Sequence, residues 1–126
     1  MKQREVYSEE IMKLWKNPKN FGKIKSPTHE FSEVNNLCGD DMTVQIIIKD
    51  GVIKDAKFTS TGCLVCIVFG SELTEKIRGM DVEDVMKMTK EELVKSMNIN
   101  IHPGKIYCAA LSLEAVQNCL EKGKKV

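Results

Sequence analysis

The sequence has neither a long apolar segment nor an excess of charge of one sign. Nineteen basic and eighteen acidic side chains among 126 residues give a formal net charge of +1. So small a net charge produces no bulk field that would attract nucleic acid or a charged membrane surface. We therefore expect no nucleic acid and no membrane among the binding partners, which must recognise local surfaces.

The first residues also lack the marks of a targeting segment. Residues 1–10 contain no apolar run for export, and the acidic residues Glu5, Glu9 and Glu10 argue against an organellar transit peptide. The odd number of cysteines, five, argues against a disulfide framework in an unexported chain. We expect a cytoplasmic protein whose thiols are reduced and available as ligands.

A β-hairpin is the clearest local prediction. Residues 43–49 are rich in β-branched side chains, Asp50-Gly51 is a two-residue turn signal, and residues 52–61 form the return strand. A strict two-residue turn would pair Ile46 with Asp55, so we expect a bulge or a wider loop to correct the register.

Helical periodicity is found near the start of the chain and dominates its second half. Predicted helices begin after Ser8, at Leu64, after Asp81, after Thr89 and near Ile106, the last one ending at Gly123. Residues 17–30 have a loop composition, and Lys124-Lys125 is expected to be a solvated tail.

The order of these elements indicates the fold class. No internal repeat divides the chain, and its length predicts a single domain, residues 1–126. A hairpin followed by a run of helices indicates an α+β fold with a small antiparallel sheet of about three strands and helices packed on one face. Residues 30–36 are expected to supply the third strand, because an isolated hairpin is marginal in water.

Three cysteines, Cys38, Cys63 and Cys108, lie where a backbone can present a thiolate. The first two adjoin Gly39 and Gly62, which are expected to reach φ above zero, and the third follows a Pro-Gly break. Thiolates select zinc, copper(I) or iron–sulfur chemistry, and the carboxylate of Asp40 would add a more exchangeable oxygen ligand. From the residues alone, small core cysteines explain the pattern equally well, and a simple turn role suits Asp40 better.

The other cysteines and the two histidines fit structural roles. Cys66 forms a C-x-x-C spacing with Cys63, which zinc sites and redox pairs share, but its place on an apolar helix face favours packing. Cys119 lies about three helical turns beyond Cys108, roughly 16 Å along the axis, too far to share a metal. His29 is interpreted as a loop residue at the surface. For His102 a turn role is favoured over a ligand role.

Four motifs, taken in order, resemble the IscU/NifU N-terminal family of iron–sulfur cluster assembly scaffolds over nearly the whole chain. They are Tyr7-Ser8-Glu9-Glu10 with Asn17-Pro18-Lys19-Asn20-Phe21-Gly22, Cys38-Gly39-Asp40, Asp55-Ala56-Lys57-Phe58 through Thr61-Gly62-Cys63, and Lys105-Ile106-Tyr107-Cys108. The resemblance implies an IscU/SufE-like version of the α+β fold.

The resemblance also implies a ligand set and a function. It implies that Cys38, Cys63 and Cys108 ligate a cluster, that Asp40 is a labilising ligand, and that Cys108 accepts sulfur. The implied protein is a scaffold and not an enzyme. A cysteine desulfurase delivers sulfur as a persulfide, iron enters, and a ferredoxin-like donor supplies electrons. The resulting [2Fe–2S] cluster passes to apo iron–sulfur proteins; zinc in the cluster-free form and a homodimer are further implications.

Two departures from the family pattern bear on this reading. Tyr107 stands where many IscU-type proteins have a histidine, so Asp40 becomes the natural fourth ligand, with a partner, a second protomer, Cys66 or His102 as alternatives. Residues 101–105 read IHPGK where the family often has Leu-Pro-Pro-Val-Lys for a DnaK-type chaperone, which puts dependence on that chaperone in doubt.

Two other functions stay open. A zinc-binding sulfur acceptor that stimulates a cysteine desulfurase, as in the SufU branch, fits the missing histidine. However, Cys63 and Cys108 are only 45 residues apart, and the segment between them lacks the insertion that is typical of that branch. A structural zinc module that serves protein interaction predicts that removal of the metal unfolds the domain.

Overall fold

The computed structural model describes residues 4–5, 8–35 and 39–125. The strands in these residues are β1 (Arg4–Glu5), β2 (His29–Asn35), β3 (Asp40–Lys49), β4 (Val52–Thr59), β5 (Ile99–Asn100) and β6 (Lys124–Lys125). The helices are α1 (Glu9–Lys16), α2 (Leu64–Ile77), α3 (Val82–Met86), α4 (Lys90–Met97) and α5 (Ile106–Lys122), with a 3₁₀ turn at Pro103–Lys105 before the last.

The main sheet is antiparallel, in the order β4-β3-β2-β6. The predicted α+β fold is confirmed, and the third strand lies at His29–Asn35. The prediction of a solvated tail at Lys124-Lys125 is wrong, because these residues pair with His29 and Glu30 at the edge of the sheet. Lysine is common both on edge strands and in solvated tails, so the composition of this segment did not distinguish the two. His29 belongs to β2 and is half-buried, which corrects its interpretation as a surface loop residue.

The hairpin has the predicted turn and the predicted irregularity. Asp50 and Gly51 have φ of 54° and 74°, as a type I′ turn requires. The register shifts between Ile47 and Ile48, so that Ile46 pairs with Ala56 and not with Asp55. The bulge keeps the apolar side chains of both strands on the buried face.

Helices α2 and α5 pack on this buried face. Met42, Val44 and Ile46 alternate along β3 and are nearly inaccessible to solvent, as are the core residues of both helices. At Gly70 of α2 the helix approaches β4 so closely that an added Cβ would lie 2.7 Å from the ring of Phe58. Among the described residues, no helix combines the length and apolar character needed to span a bilayer.

The segment between α1 and β2 is irregular, as predicted, but it is tied to the core. The backbone N–H of Lys19 donates to the hydroxyl of Ser71 at 2.7 Å, and the side chain of Asn20 donates to Thr74 at 3.2 Å. Gly22 and Phe58 are linked by a backbone hydrogen bond of 2.9 Å. These contacts fix the loop against α2 and β4.

A short parallel pair, β1 with β5, was not predicted. It pairs Arg4 with Ile99 and Glu5 with Asn100. The first strand has two residues and no apolar alternation, so the sequence gives no strand signal there. The pair places the start of the described chain beside the segment that leads into α5.

Candidate functional site

One end of the sheet gathers four side chains that can ligate a metal. One ligand atom from each of Asp40, Cys63, Cys66 and Cys108 lies within 4.8 Å of the others; we call this set the donor group. Asp40 opens β3, Cys63 is the N-cap residue of α2, and Cys66 lies in the first turn of that helix. Cys108 lies in the first turn of α5. The starts of three elements therefore meet at one place.

Cys38, the first of the predicted ligands, lies outside the described residues, as does Tyr7 of the opening motif. The described chain resumes at Gly39, whose φ of +73° agrees with the prediction for that glycine. Asp40, two residues beyond Cys38, belongs to the donor group. The role of Cys38 stays a prediction.

Cys66 is the member that the sequence interpretation placed elsewhere. Its side chain is fully buried, as expected for a core residue. Its thiol also donates to Oδ2 of Asp40 at 3.0 Å and to the carbonyl oxygen of Cys108 at 3.4 Å. The C-x-x-C spacing was the sequence signal that placed Cys66 near Cys63, and no sequence signal pointed to its contact with Asp40. Cys119, by contrast, is buried outside the donor group, and its role as a core residue is confirmed.

The electrostatics of the group favour a thiolate at Cys63. The hydrogen bond from the Cys66 thiol lowers the pKa of Cys63 to about 6, and the Cys108 thiol contributes in the same direction. Partial burial and the charge of Asp40 oppose this shift without cancelling it. The lowered pKa favours the thiolate of Cys63, which is the form that ligates a metal.

The neighbouring thiol behaves in the opposite way. The pKa of Cys66 is raised, first because its proton is shared with Cys63, then because of burial and the hydrogen bond to Asp40. Burial also raises the pKa of Cys119 to about 12. Without a metal, Cys66 and Cys119 are thus protonated thiols.

Gly62 lies where the start of β3 approaches the first turn of α2. A Cβ at this position would lie 3.0 Å from Cβ of Asp40 and 3.0 Å from Cβ of Cys66. The prediction that Gly62 needs a positive φ is wrong, since its φ lies outside that range. A side chain at this position would press on both neighbours, so the glycine is explained by close packing and not by backbone conformation.

Hydrogen bonds fasten the segment before α2 to the start of β3. The hydroxyl of Ser60 donates to the carbonyl oxygen of Asp41, and the N–H of Thr61 donates to its carboxylate at 3.0 Å. The N–H of Gly62 donates to Ser60 at 3.0 Å. The oxygens of Asp41 thus hold the loop by accepting hydrogen bonds, and Asp40 is the carboxylate that belongs to the donor group.

The comparison with known proteins identifies the family. The sequence profile described as "NifU-like N terminal domain" matches residues 6–125. The chain belongs to the IscU/NifU N-terminal family.

Relatives in this family are similar over most of their length. The iron-sulfur cluster assembly scaffold protein IscU 1 of Archaeoglobus fulgidus is 30% identical over 115 residues, covering 91% of this chain and 74% of the relative. The IscU scaffold protein of Rickettsia prowazekii is 30% identical over 124 residues, covering 95% of this chain and 93% of the relative.

Solved structures agree on the fold. The NifU-like N-terminal protein of Brucella abortus has a TM-score of 0.74 at 17% identity, covering 92% of both chains. An iron-sulfur cluster assembly scaffold protein described for the SUF system of Fervidobacterium islandicum has a TM-score of 0.73 at 23% identity, covering 91% of this chain and 96% of the other. At these identities the likeness shows the IscU/NifU fold.

An open cavity of about 910 Å³ in this IscU/NifU domain adjoins Cys63 and is also lined by Leu64, Ile101, His102 and Pro103. His102 is exposed, and its Nδ1 accepts a hydrogen bond from the N–H of Gly104 at 3.0 Å, as a turn residue would. It is not a member of the donor group.

Tyr107, the residue before Cys108, is 52% exposed. Among the described residues, the ligand atoms that lie together are those of Asp40, Cys63, Cys66 and Cys108.

Proposed function

We propose that the protein is a scaffold on which [2Fe–2S] clusters are assembled from iron and desulfurase-derived sulfur and from which they pass to apo-proteins. The convergence of Asp40, Cys63 and Cys108, three positions of the family's ligand motifs, is the observation that supports this proposal. The relatives named above are called scaffold proteins. The cluster is the cargo of such a protein, and the chain acts as one domain in the reducing environment of the cytoplasm.

Each donor has a distinct part in the proposed assembly. Cys38, Cys63 and Cys108 supply thiolates, which are the usual ligands of iron–sulfur clusters. Asp40 supplies a harder oxygen ligand that holds iron less firmly than a fourth thiolate and so favours release. Cys108 accepts sulfur as a persulfide from a cysteine desulfurase, and a ferredoxin-like donor supplies the electrons that reduce it. Because Cys108 is fully buried, the docked desulfurase must open access to it.

Anaerobic reconstitution tests the scaffold function. Purified protein incubated with ferrous iron, cysteine and a cysteine desulfurase should develop visible absorption and retain iron through desalting. Cys63→Ser should retain much less iron, whereas Cys119→Ser, which alters a buried thiol outside the donor group, should match the parent protein. A colourless parent protein without bound iron would rule the scaffold function out.

A second candidate function is a zinc-bearing sulfur acceptor that stimulates a desulfurase. The observation that favours it is the compactness of the donor group, whose atoms all lie within 4.8 Å. Ligands of one tetrahedral zinc ion with Zn–S bonds of about 2.3 Å are separated by roughly 3.8 Å. Zinc retained at one ion per chain, together with faster desulfurase turnover and no cluster, would identify this function.

The sulfur-accepting cysteine is tested in the same way for both functions. After exposure to a persulfide-loaded desulfurase, the parent protein should gain the mass of one sulfur atom, and Cys108→Ser should not. Sulfur uptake by Cys108→Ser at the parent level would show that another cysteine is the acceptor.

A further inference from the structure

Residues 13–25, which we call the basic segment, concentrate positive charge in a chain whose total charge is nearly balanced. The segment holds five of the nineteen basic residues, and residues 11–29 contain none of the eighteen acidic ones. Among the described residues, no carboxylate forms an ion pair with these five lysines. All five are exposed: Lys13, Lys16, Lys19, Lys23 and Lys25. The segment therefore has a local positive field that the net charge of the whole molecule conceals.

Two aromatic side chains are exposed within the basic segment. Trp15 on α1 is 39% exposed, and Phe21 in the following loop is 45% exposed. The ring of Phe21 also rests edge-to-face on the fully buried ring of Phe58, so it is held in place while part of it faces solvent. Aromatic side chains fixed in this way are typical anchors of protein–protein interfaces.

The basic segment passes over the β4 edge of the main sheet and is fixed on both sides of it. On the helical side, the hydrogen bonds of Lys19 and Asn20 tie it to α2. On the other face of the sheet, the N–H of Ile24 donates to the side chain of Gln45 at 2.6 Å. A backbone held in this way loses little conformational entropy when a partner binds.

The neighbouring charges decide which kind of partner fits. A shallow groove brings Lys13 and Lys19 beside the carboxylates of Glu9, Glu10 and Glu72. A uniformly negative partner, such as a nucleic acid or an anionic membrane, would be repelled by these carboxylates. A protein surface can place carboxylates opposite the lysines and a basic side chain opposite the glutamates. Charge complementarity therefore favours a protein partner that is mainly acidic.

We propose that the basic segment is a docking surface for an acidic protein segment that also carries apolar side chains. The carboxylates of the partner pair with the exposed lysines, and its apolar side chains cover Trp15 and Phe21.

This docking surface is separate from the donor group. Ser71 and Thr74, which hold the basic segment, lie eight and eleven residues after Cys63 on α2, or roughly 12–16 Å along the helix axis. A partner docked on the segment need not cover Cys63. The inference thus goes beyond the proposed scaffold function and does not rest on it.

Tryptophan fluorescence tests the proposal, because Trp15 is the one tryptophan of the sequence and reports binding at the basic segment itself. The full-length protein is titrated with a synthetic peptide that interleaves glutamate with leucine. Binding should shift the emission of Trp15 to shorter wavelength and should weaken as salt is added. The same peptide with glutamine in place of glutamate is the ligand control and should not bind.

A pair of charge-matched variants locates the binding. Lys16→Gln combined with Lys23→Gln should weaken peptide binding at least about fivefold, because both lysines lie close in sequence to the aromatic anchors. Lys87→Gln combined with Lys95→Gln removes the same charge from exposed positions on the opposite half of the chain and should bind like the parent protein.

Three results would overturn the inference. An unshifted emission of the parent protein would show that the segment does not dock acidic peptides. Equal weakening in both double variants would show that the peptide responds to net charge and not to this surface. Tighter binding of oligothymidylate or of phosphatidylserine vesicles, lost in the variant at Lys16 and Lys23, would assign the surface to nucleic acid or to a membrane.

Discussion

The thiol of Cys66 favours the thiolate form of Cys63. Both sulfurs belong to the donor group, and the hydrogen bond from Cys66 is the largest cause of the lowered pKa of Cys63. Asp40 competes for the same proton from 3.0 Å away. A single buried S–H therefore links the carboxylate and the thiolate of the site.

Replacing Cys66 by alanine should raise the pKa of Cys63 from about 6 toward the ordinary thiol value of 9.0, because the main donor to the thiolate is lost. The pH dependence of Cys63 alkylation by iodoacetamide, followed by peptide mass spectrometry, measures this change. The midpoint should move to higher pH, so alkylation at neutral pH should slow. Cys119→Ala is the matched control, and an unmoved midpoint in Cys66→Ala would show that other groups set the pKa.

Sequence reasoning reached most of the site at the residue scale. The motifs around Asp40, Cys63 and Cys108 selected residues that the structure brings together. Cys66 was assigned to the core, because helical periodicity describes which face a residue occupies and not what meets that face from another element. The contact between Cys66 and Asp40 joins residues 26 positions apart and depends on tertiary packing.

At the scale of elements, the contact of α2 with β4 depends on a glycine. A Cβ on Gly70 would come within 2.7 Å of the Phe58 ring, and that ring also meets Phe21 edge-to-face with centroids 5.3 Å apart. The ring is thus confined from two sides. The helix that carries Cys63 and Cys66 is positioned through this contact.

Gly70→Ala should lower the free energy of unfolding by about 1–3 kcal/mol, because the added methyl forces the ring or the helix to move. The better helix propensity of alanine offsets at most about 1 kcal/mol of this. Urea unfolding followed by circular dichroism measures the change, with Lys76→Ala on the exposed side of the same helix as the control. If Gly70→Ala had an equal or greater free energy of unfolding, β4 would accommodate the added methyl group without loss of stability.

Elements with strong local signals were predicted well. The turn residues Asp50 and Gly51 required positive φ, and the hydroxyls of Ser8 and Thr89 cap their helices as expected. The pairing of β6 with β2 was missed because its two lysines carry no strand pattern and their partners lie far away in the chain. Elements whose signals lie within a few residues of one another could therefore be predicted from the sequence.

At the scale of the whole molecule, apolar side chains alone form the core. Side chains from α1 to α5 and from the main sheet form one buried cluster, which includes Phe58, Phe69 and Leu111. Among the described residues, every buried side-chain nitrogen and oxygen has a hydrogen-bond partner. We therefore expect the domain to fold without the free energy of metal binding.

Chelation should leave the far-ultraviolet circular dichroism spectrum unchanged. Zinc added back should raise the melting temperature, because an ion that binds the folded state stabilises it by mass action. A thermal scan of chelated and zinc-loaded protein measures both effects. Loss of helical signal on chelation would contradict the expectation and favour a structural zinc module.

The edges of the main sheet carry a consequence for behaviour at high concentration. The N–H groups of three β4 residues donate away from β3: Ile53 to Met80 at 2.9 Å, Ala56 to the side chain of Asp55 at 2.9 Å, and Phe58 to Asn20 at 3.0 Å. On the far side, β6 covers the beginning of β2. With these edge groups already satisfied, β4 has few donors left for a strand from another chain. At high protein concentration this hinders edge-to-edge strand pairing between copies and the fibrils that it leads to. The donor group and its cavity lie away from this edge protection and stay accessible to ligands and partners.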